Sequence, residues 1–176
     1  MAEFQTVVNV MPAAGMPGQQ VSINAAYTAY NYVSDGTLAA GSFAFADPAD
    51  AANGMPQLAH SKVASNGRLL GFVQRVHSGV VNVPFASSTN IYTSGQSVTI
   101  ATRGQFYMAV PSSGSATEGQ SVLCDPTTGA ITFGTAGTTN DTGWVVHLLQ
   151  GESSAGEGDL VIIEHYGLQA APAAGA

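Results

Sequence analysis

From about residue 41 onward, apolar and polar residues alternate in short runs with a period of two. Ser97-Val98-Thr99-Ile100 alternates cleanly, and Phe106, Met108 and Val110 share one parity. So do Ile131 and Phe133, and Trp144, Val146 and Leu148. This is the pattern of half-buried β-strands. Leu69–Val76, Val80–Phe85, Val122–Cys124 and Leu160–Ile163 are further strands by their β-branched and aromatic content. Turn signals separate these runs: Ser34-Asp35-Gly36, Ser65-Asn66-Gly67, Ser94-Gly95 and Arg103-Gly104. The clearest is Asp125-Pro126-Thr127-Thr128-Gly129, where Asp opens a turn, Pro presets φ and Gly supplies positive φ. It predicts a hairpin between Val122–Cys124 and Ala130–Phe133. Ala49–Ala59 is mildly helical but is interrupted by Gly54 and Pro56, so a loop is expected there. Many short strands at this spacing predict an all-β barrel or sandwich.

Residues 1–40 differ from the rest. Pro12, Gly15, Pro17 and Gly18 punctuate them, and neither a two-residue nor a 3.6-residue period is sustained. They read as an extended N-terminal arm with at most one short strand or helical turn. Phe4, Tyr27, Tyr30 and Tyr32 are its large rings. Tyrosine offers contact area at small entropic cost, so these four are the candidate partner-binding residues. The expected organisation is an arm over 1–40, a body over 41–168, and a low-complexity tail over 169–176.

Composition changes the picture in one respect. Charged residues make up 9% of the 176-residue chain, against about 25% in ordinary domains. A coiled coil or a Lys/Glu-laced helical bundle is thereby excluded. Eleven acids against four bases give a net charge of −7, and Lys62, Arg68, Arg75 and Arg103 form no run. No basic stripe is available for nucleic acid. Hydrophobic residues reach 45%, enough for a real core. A surface this neutral suits a protein covered by copies of itself or by a partner. No apolar run approaches the roughly 20 residues of a membrane span, and the first residues lack a signal-peptide pattern. Cys124 is the single cysteine, so no intrachain disulfide can form.

The search for chemistry finds no phosphate-binding loop, no Gly-x-Ser-x-Gly elbow and no His-Glu-x-x-His pair. His147 and His165 fall on neighbouring predicted strands, where two rings could approach. A metal would also need Glu164, which by alternation points to the face opposite His165. The simpler reading is two partly buried rings satisfied by hydrogen bonds. Glu152, Glu157 and Asp159 crowd one loop without the spacing of a calcium site. Neither a catalytic centre, a cofactor site nor a metal site is expected.

Several segments taken together resemble a known family. They are FQ-x₅-MP-x₂-G-x-PGQ at Phe4–Gln19 and SDG-x₄-GSFAFAD at Ser34–Asp47. NGRLLGFVQR at Asn66–Arg75, SGQSVTIATRGQFYMAV at Ser94–Val110 and EGQSVLCDPTTGAITFG at Glu118–Gly134 follow. The order resembles the structural cement, or decoration, proteins of tailed-bacteriophage capsids. That resemblance implies a small all-β barrel or jelly-roll-like body with extended arms and no catalytic residues. It also implies a virion protein, made in the host cytoplasm, that binds the outside of an icosahedral shell. Its partners would be the major capsid protein and itself, as a homo-dimer or homo-trimer. A different virion role is the alternative: a trimeric fibre or appendage domain binding host glycans, with Tyr92, Tyr107 or Trp144 lining a groove.

Overall fold

The computed structural model describes residues 15–22, 27–76, 90–149 and 152–166. Among the described residues nine strands and one short helix follow in order: β1 (Thr28–Ser34), β2 (Phe43–Ala46), α1 (Pro48–Ala52), β3 (Leu58–Ala59), β4 (Arg68–Val73), β5 (Ser97–Ala109), β6 (Ser121–Cys124), β7 (Ile131–Gly134), β8 (Asp141–His147) and β9 (Leu160–His165). The fold is nearly all-β, as the alternation requires, and its curled antiparallel sheet forms a half-barrel. The main path runs β2-β4-β5-β9-β8-β6-β7. The strand predicted at Val80–Phe85 lies outside the described residues.

The thirteen-residue β5 is the spine. Its first half pairs with β1 and β4, and its second half pairs with β9. Thr28 and Ala29 oppose Arg103 and Ala101, so Thr102 is an extra residue on β5. Such a bulge bends a strand and exchanges its two faces. Val98 and Ile100 therefore face one core, while Phe106 and Met108, of the same parity, face another.

The larger core gathers side chains from β2, β4, β5, β6, β8 and β9. Phe43, Phe72, Phe106 and Trp144 meet there with ring centroids 5.3–6.3 Å apart, tilted or edge-on. These are favourable geometries for aromatic quadrupoles. The smaller core lies on the opposite face of β2 and β4, where Leu38, Leu70, Val73, Tyr92, Val98 and Ile100 pack. The sequence FAFA of β2 serves both: Phe43 and Phe45 enter the large core, Ala44 the small one. Cys124 is buried in the large core, and burial, with Asp125 nearby, pushes its thiol up to about 12.

The predicted hairpin forms as β6 and β7, in register Val122↔Phe133 and Cys124↔Ile131. Asp125 accepts from the Thr127 amide at 2.8 Å, which closes the turn locally. The Ala49–Ala59 stretch is not wholly a loop. Asp47 caps α1 by accepting from the Ala49 amide at 2.9 Å, and Pro48 stands at its start. Both are helix-initiating features that outweigh the breakers at Gly54 and Pro56 further on.

Within the stretch expected as an arm, the described residues lie against the body. β1 runs antiparallel to β5, in register Tyr30↔Ile100 and Tyr32↔Val98. Residues 18–21 line the edge of β5's second half. Gly18 donates to the Tyr107 carbonyl at 2.8 Å, Tyr107 donates to Gln19 at 2.9 Å, and Val21 donates to Gln105 at 2.9 Å.

Candidate functional site

The residues proposed from sequence for partner binding divide by environment. Phe4 lies outside the described residues. Tyr30 is 57% exposed and Tyr27 41% exposed. Tyr32 shares a face of β1 with Tyr30 by alternation, and it is the one packed against the smaller core, where it is half-buried. Tyr27 is held more firmly than its exposure suggests. Its hydroxyl donates to the Gln74 side chain, and its ring tilts against Phe106 with centroids 6.2 Å apart. Partial burial raises its phenol pKa, against the Gln74 hydrogen bond, which lowers it. Tyr30 is thus the freest large ring of the described set, presented by a strand locked into the sheet. Met16, Met55 and Ile91 are the other exposed large apolar side chains.

The rings of the alternative glycan reading are placed differently. Tyr92 and Trp144 are each 1% exposed. The Tyr92 hydroxyl donates to the Gln74 carbonyl at 2.7 Å and accepts from the Val76 amide at 3.2 Å. Trp144 stands at the centre of the aromatic core. Neither can line an open groove. Tyr107 is half-buried, with its ring lying against Gly15.

The histidines also separate. β8 and β9 do pair, but His147 stands opposite Ile162, and Val145 opposite Glu164. His147 Nδ1 contacts Glu118 at 2.6 Å, and its Nε2 lies 3.2 Å from Glu164 Oε1, off the axis of a hydrogen bond. His165 turns to the core face, stacks near Trp144 at 5.5 Å and donates from Nδ1 to the Thr102 carbonyl at 2.8 Å. The two rings therefore do not form a site together. Two carboxylates of the acidic loop accept from backbone amides: Asp159 from Gly156 at 2.8 Å and Glu157 from Ser113 at 3.3 Å. Among the described residues no group of three ligating side chains is disposed to hold a metal.

Sequence reasoning missed a third histidine arrangement. His60 lies between Asp35, 2.8 Å from Nδ1, and Asp50, 2.6 Å from Nε2. The three come from the turn after β1, from α1 and from the residue after β3. Their separations in sequence carry no motif. Residues 51–57 are all exposed, flanked by grooves of about 260 and 310 Å³ that share Pro56 and Leu58.

Comparison with known proteins places these features in context. The family model described as structural cement protein (E217 gp24/Pam3 gp6), a phage cement family, matches residues 4–165. No curated protein matches significantly. Among solved structures, a chain from the capsid of Myoviridae phage XM1 superposes with a TM-score of 0.62 at 14% identity. That superposition covers 93% of this chain and 97% of the other. At this identity it shows a shared fold.

Proposed function

The chain belongs to the phage structural cement protein family, and we propose that it fulfils that capsid role by binding the outer surface of the icosahedral head and bridging neighbouring major capsid protein subunits. The observation that carries this reading is the family match across nearly the whole body, residues 4–165. It is thus a structural component of a bacteriophage capsid, and the role is mechanical. Packed DNA presses outward, and shell subunits separate first at their junctions. A bridging protein adds attraction across each junction. Tethered contacts raise avidity without new chemistry, and symmetry repeats the gain over the shell.

The chemistry of this chain suits such contacts. With 9% charged residues, an extensive interface desolvates few ions. Tyr30 and Tyr27 are the proposed contacts on the body, with Phe4 from the segment ahead of residue 15. Tyr32 contributes by seating β1 on the smaller core. Self-association as a dimer or trimer would give each copy more than one hold on the shell.

The test is binding to purified empty shells and to DNA-filled heads without the protein, followed by imaging of the decorated particles. Density on the outer surface at subunit junctions, and slower heat-induced DNA release from decorated heads, are the expected results. Protein found inside the shell, or decorated and bare heads releasing DNA alike, would overturn the proposal. A chain lacking residues 1–14 keeps every described residue and tests the arm separately. Undiminished binding by that chain would remove Phe4 and the segment ahead of residue 15 from the contacts.

A further inference from the structure

A neutral imidazole has one N–H donor and one lone pair, whereas an ionised carboxylate only accepts. His60 presents both ring nitrogens to carboxylate oxygens, at 2.8 Å to Asp35 and 2.6 Å to Asp50. Both contacts are hydrogen bonds together only if the ring carries its second proton. The surroundings hold it in place. The His60 backbone pairs in both directions with Phe45 of β2, at 2.8 and 2.9 Å. Asp35 is oriented by Thr37, whose amide and hydroxyl donate to its Oδ1, each at 2.8 Å. Asp50 is less constrained, because α1 has no buried residue of its own. Its carboxylate supplies the side-chain hydrogen bond that ties α1 to the body.

We propose that Asp35, His60 and Asp50 form a proton-operated latch: the protonated ring pins α1 and the exposed residues 51–56 to the body, up to Gln57, whose carbonyl accepts from the Val33 amide at 2.9 Å, and loss of that proton frees them. When the ring is neutral, one nitrogen turns a lone pair towards a carboxylate. The contact that yields is the one to Asp50, since Asp35 is braced by Thr37 and α1 has nothing buried to hold it. Asp35, from the turn after β1, and Asp50, from α1, are the titratable groups facing the ring. Neither forms an ion pair with Lys or Arg among the described residues. Burial opposes the ring's charge and is the largest single influence. Hydrogen bonds and attraction from Asp50 and Asp35 together outweigh it and raise the pKa above the ordinary histidine value. The latch is therefore fully closed below about pH 6.5 and opens as pH rises through the higher, folded value. It is a property of the free chain, whether or not a capsid is present.

The experiment uses the full chain labelled with ¹⁵N. The His60 ring nitrogens and the amide exchange of Met55 and Leu58 are followed together from pH 5.5 to about 9.5, beyond the ordinary histidine range. The expected result is a ring with both nitrogens protonated at the acid end, titrating above a free histidine. Protection factors at Met55 and Leu58 should fall in step. The total fall is about tenfold for each unit by which the ring's midpoint exceeds the free value. Asp50→Asn should move the His60 midpoint down and shrink the change in protection, while His147→Gln leaves both intact. A His60 ring that titrates at or below the free value in the unmodified chain would overturn the latch. So would protection at Met55 and Leu58 that ignores the titration.

Discussion

A Cβ added to Gly18 would stand 2.8 Å from the backbone nitrogen of Gly41, and one added to Gly41 would stand 2.8 Å from Pro17 Cβ. Both glycines have positive φ, 82° and 86°. The Gly18 carbonyl also accepts from the Arg75 amide at 2.8 Å, and Gly41 donates to the Val73 carbonyl at 2.9 Å. Three strands of backbone therefore meet where no side chain fits. Gly18→Ala incurs left-handed backbone strain of about 1–2 kcal/mol and a clash with main chain. The expected loss exceeds about 2 kcal/mol in urea unfolding. Exchange at Val21 and Tyr107 should rise with it, because residues 18–21 lose their seat on β5.

Trp144 touches Phe43, Phe72 and Phe106 at the centre of the larger core. Trp144→Ala leaves a cavity that a sheet anchored on several sides cannot close. Destabilisation of about 3–5 kcal/mol is expected by chemical denaturation.

Tyr92→Phe tests the smaller core through two hydrogen bonds. Removing the hydroxyl leaves the Gln74 carbonyl and the Val76 amide without that partner. A loss of about 1–3 kcal/mol is expected, with the fold intact by circular dichroism.

Tyr30→Ala separates binding from folding. Its ring is 57% exposed, so stability should change by no more than about 0.5 kcal/mol. Sedimentation with empty shells should show weaker attachment. Unchanged attachment would remove Tyr30 from the contact surface.

His147 gives stability a second pH dependence, distinct from the latch. Burial disfavours its charge most, but Glu118 and Glu164 outweigh that and raise its pKa. Its contribution is therefore complete below about pH 6.5 and is lost as pH rises through the folded value. Glu118 responds in the opposite direction. The Leu148 amide, then His147, hold its pKa below the usual value, so its contribution is lost as the solution becomes acid. Melting temperatures of His147→Gln should fall less than those of the unmodified chain between pH 6.5 and about 9. Both partners are well exposed, so the difference is small.

Strands such as β8 and β9 were legible because local alternation declares them, whereas β1, β2 and β3 were not named, and Arg103-Gly104, expected as a turn, lies inside the continuous β5. The β6–β7 hairpin could be read from Asp125-Pro126 and Gly129, since its turn is closed by neighbours in sequence. The environments of the rings were less accessible. Tyr30 and Tyr92 are both tyrosines in polar-flanked runs, yet one is 57% and the other 1% exposed. What separates them is what packs over each ring. The Asp35–His60–Asp50 grouping had no signal at all, because its members meet only after β1, β2 and β3 are paired.

Alternation and turn chemistry along the chain by themselves determined an all-β protein and placed most of its strands, and composition made it sparsely charged. They work through period-two burial and backbone preferences that neighbours impose on one another. Tertiary structure alone decided which of the two cores each buried face meets. The extra residue at Thr102 carries positions of one parity from the smaller core at Ile100 to the larger at Phe106. A bulge is defined by the strand opposite, so its effect on burial exists only once β1 and β5 have met.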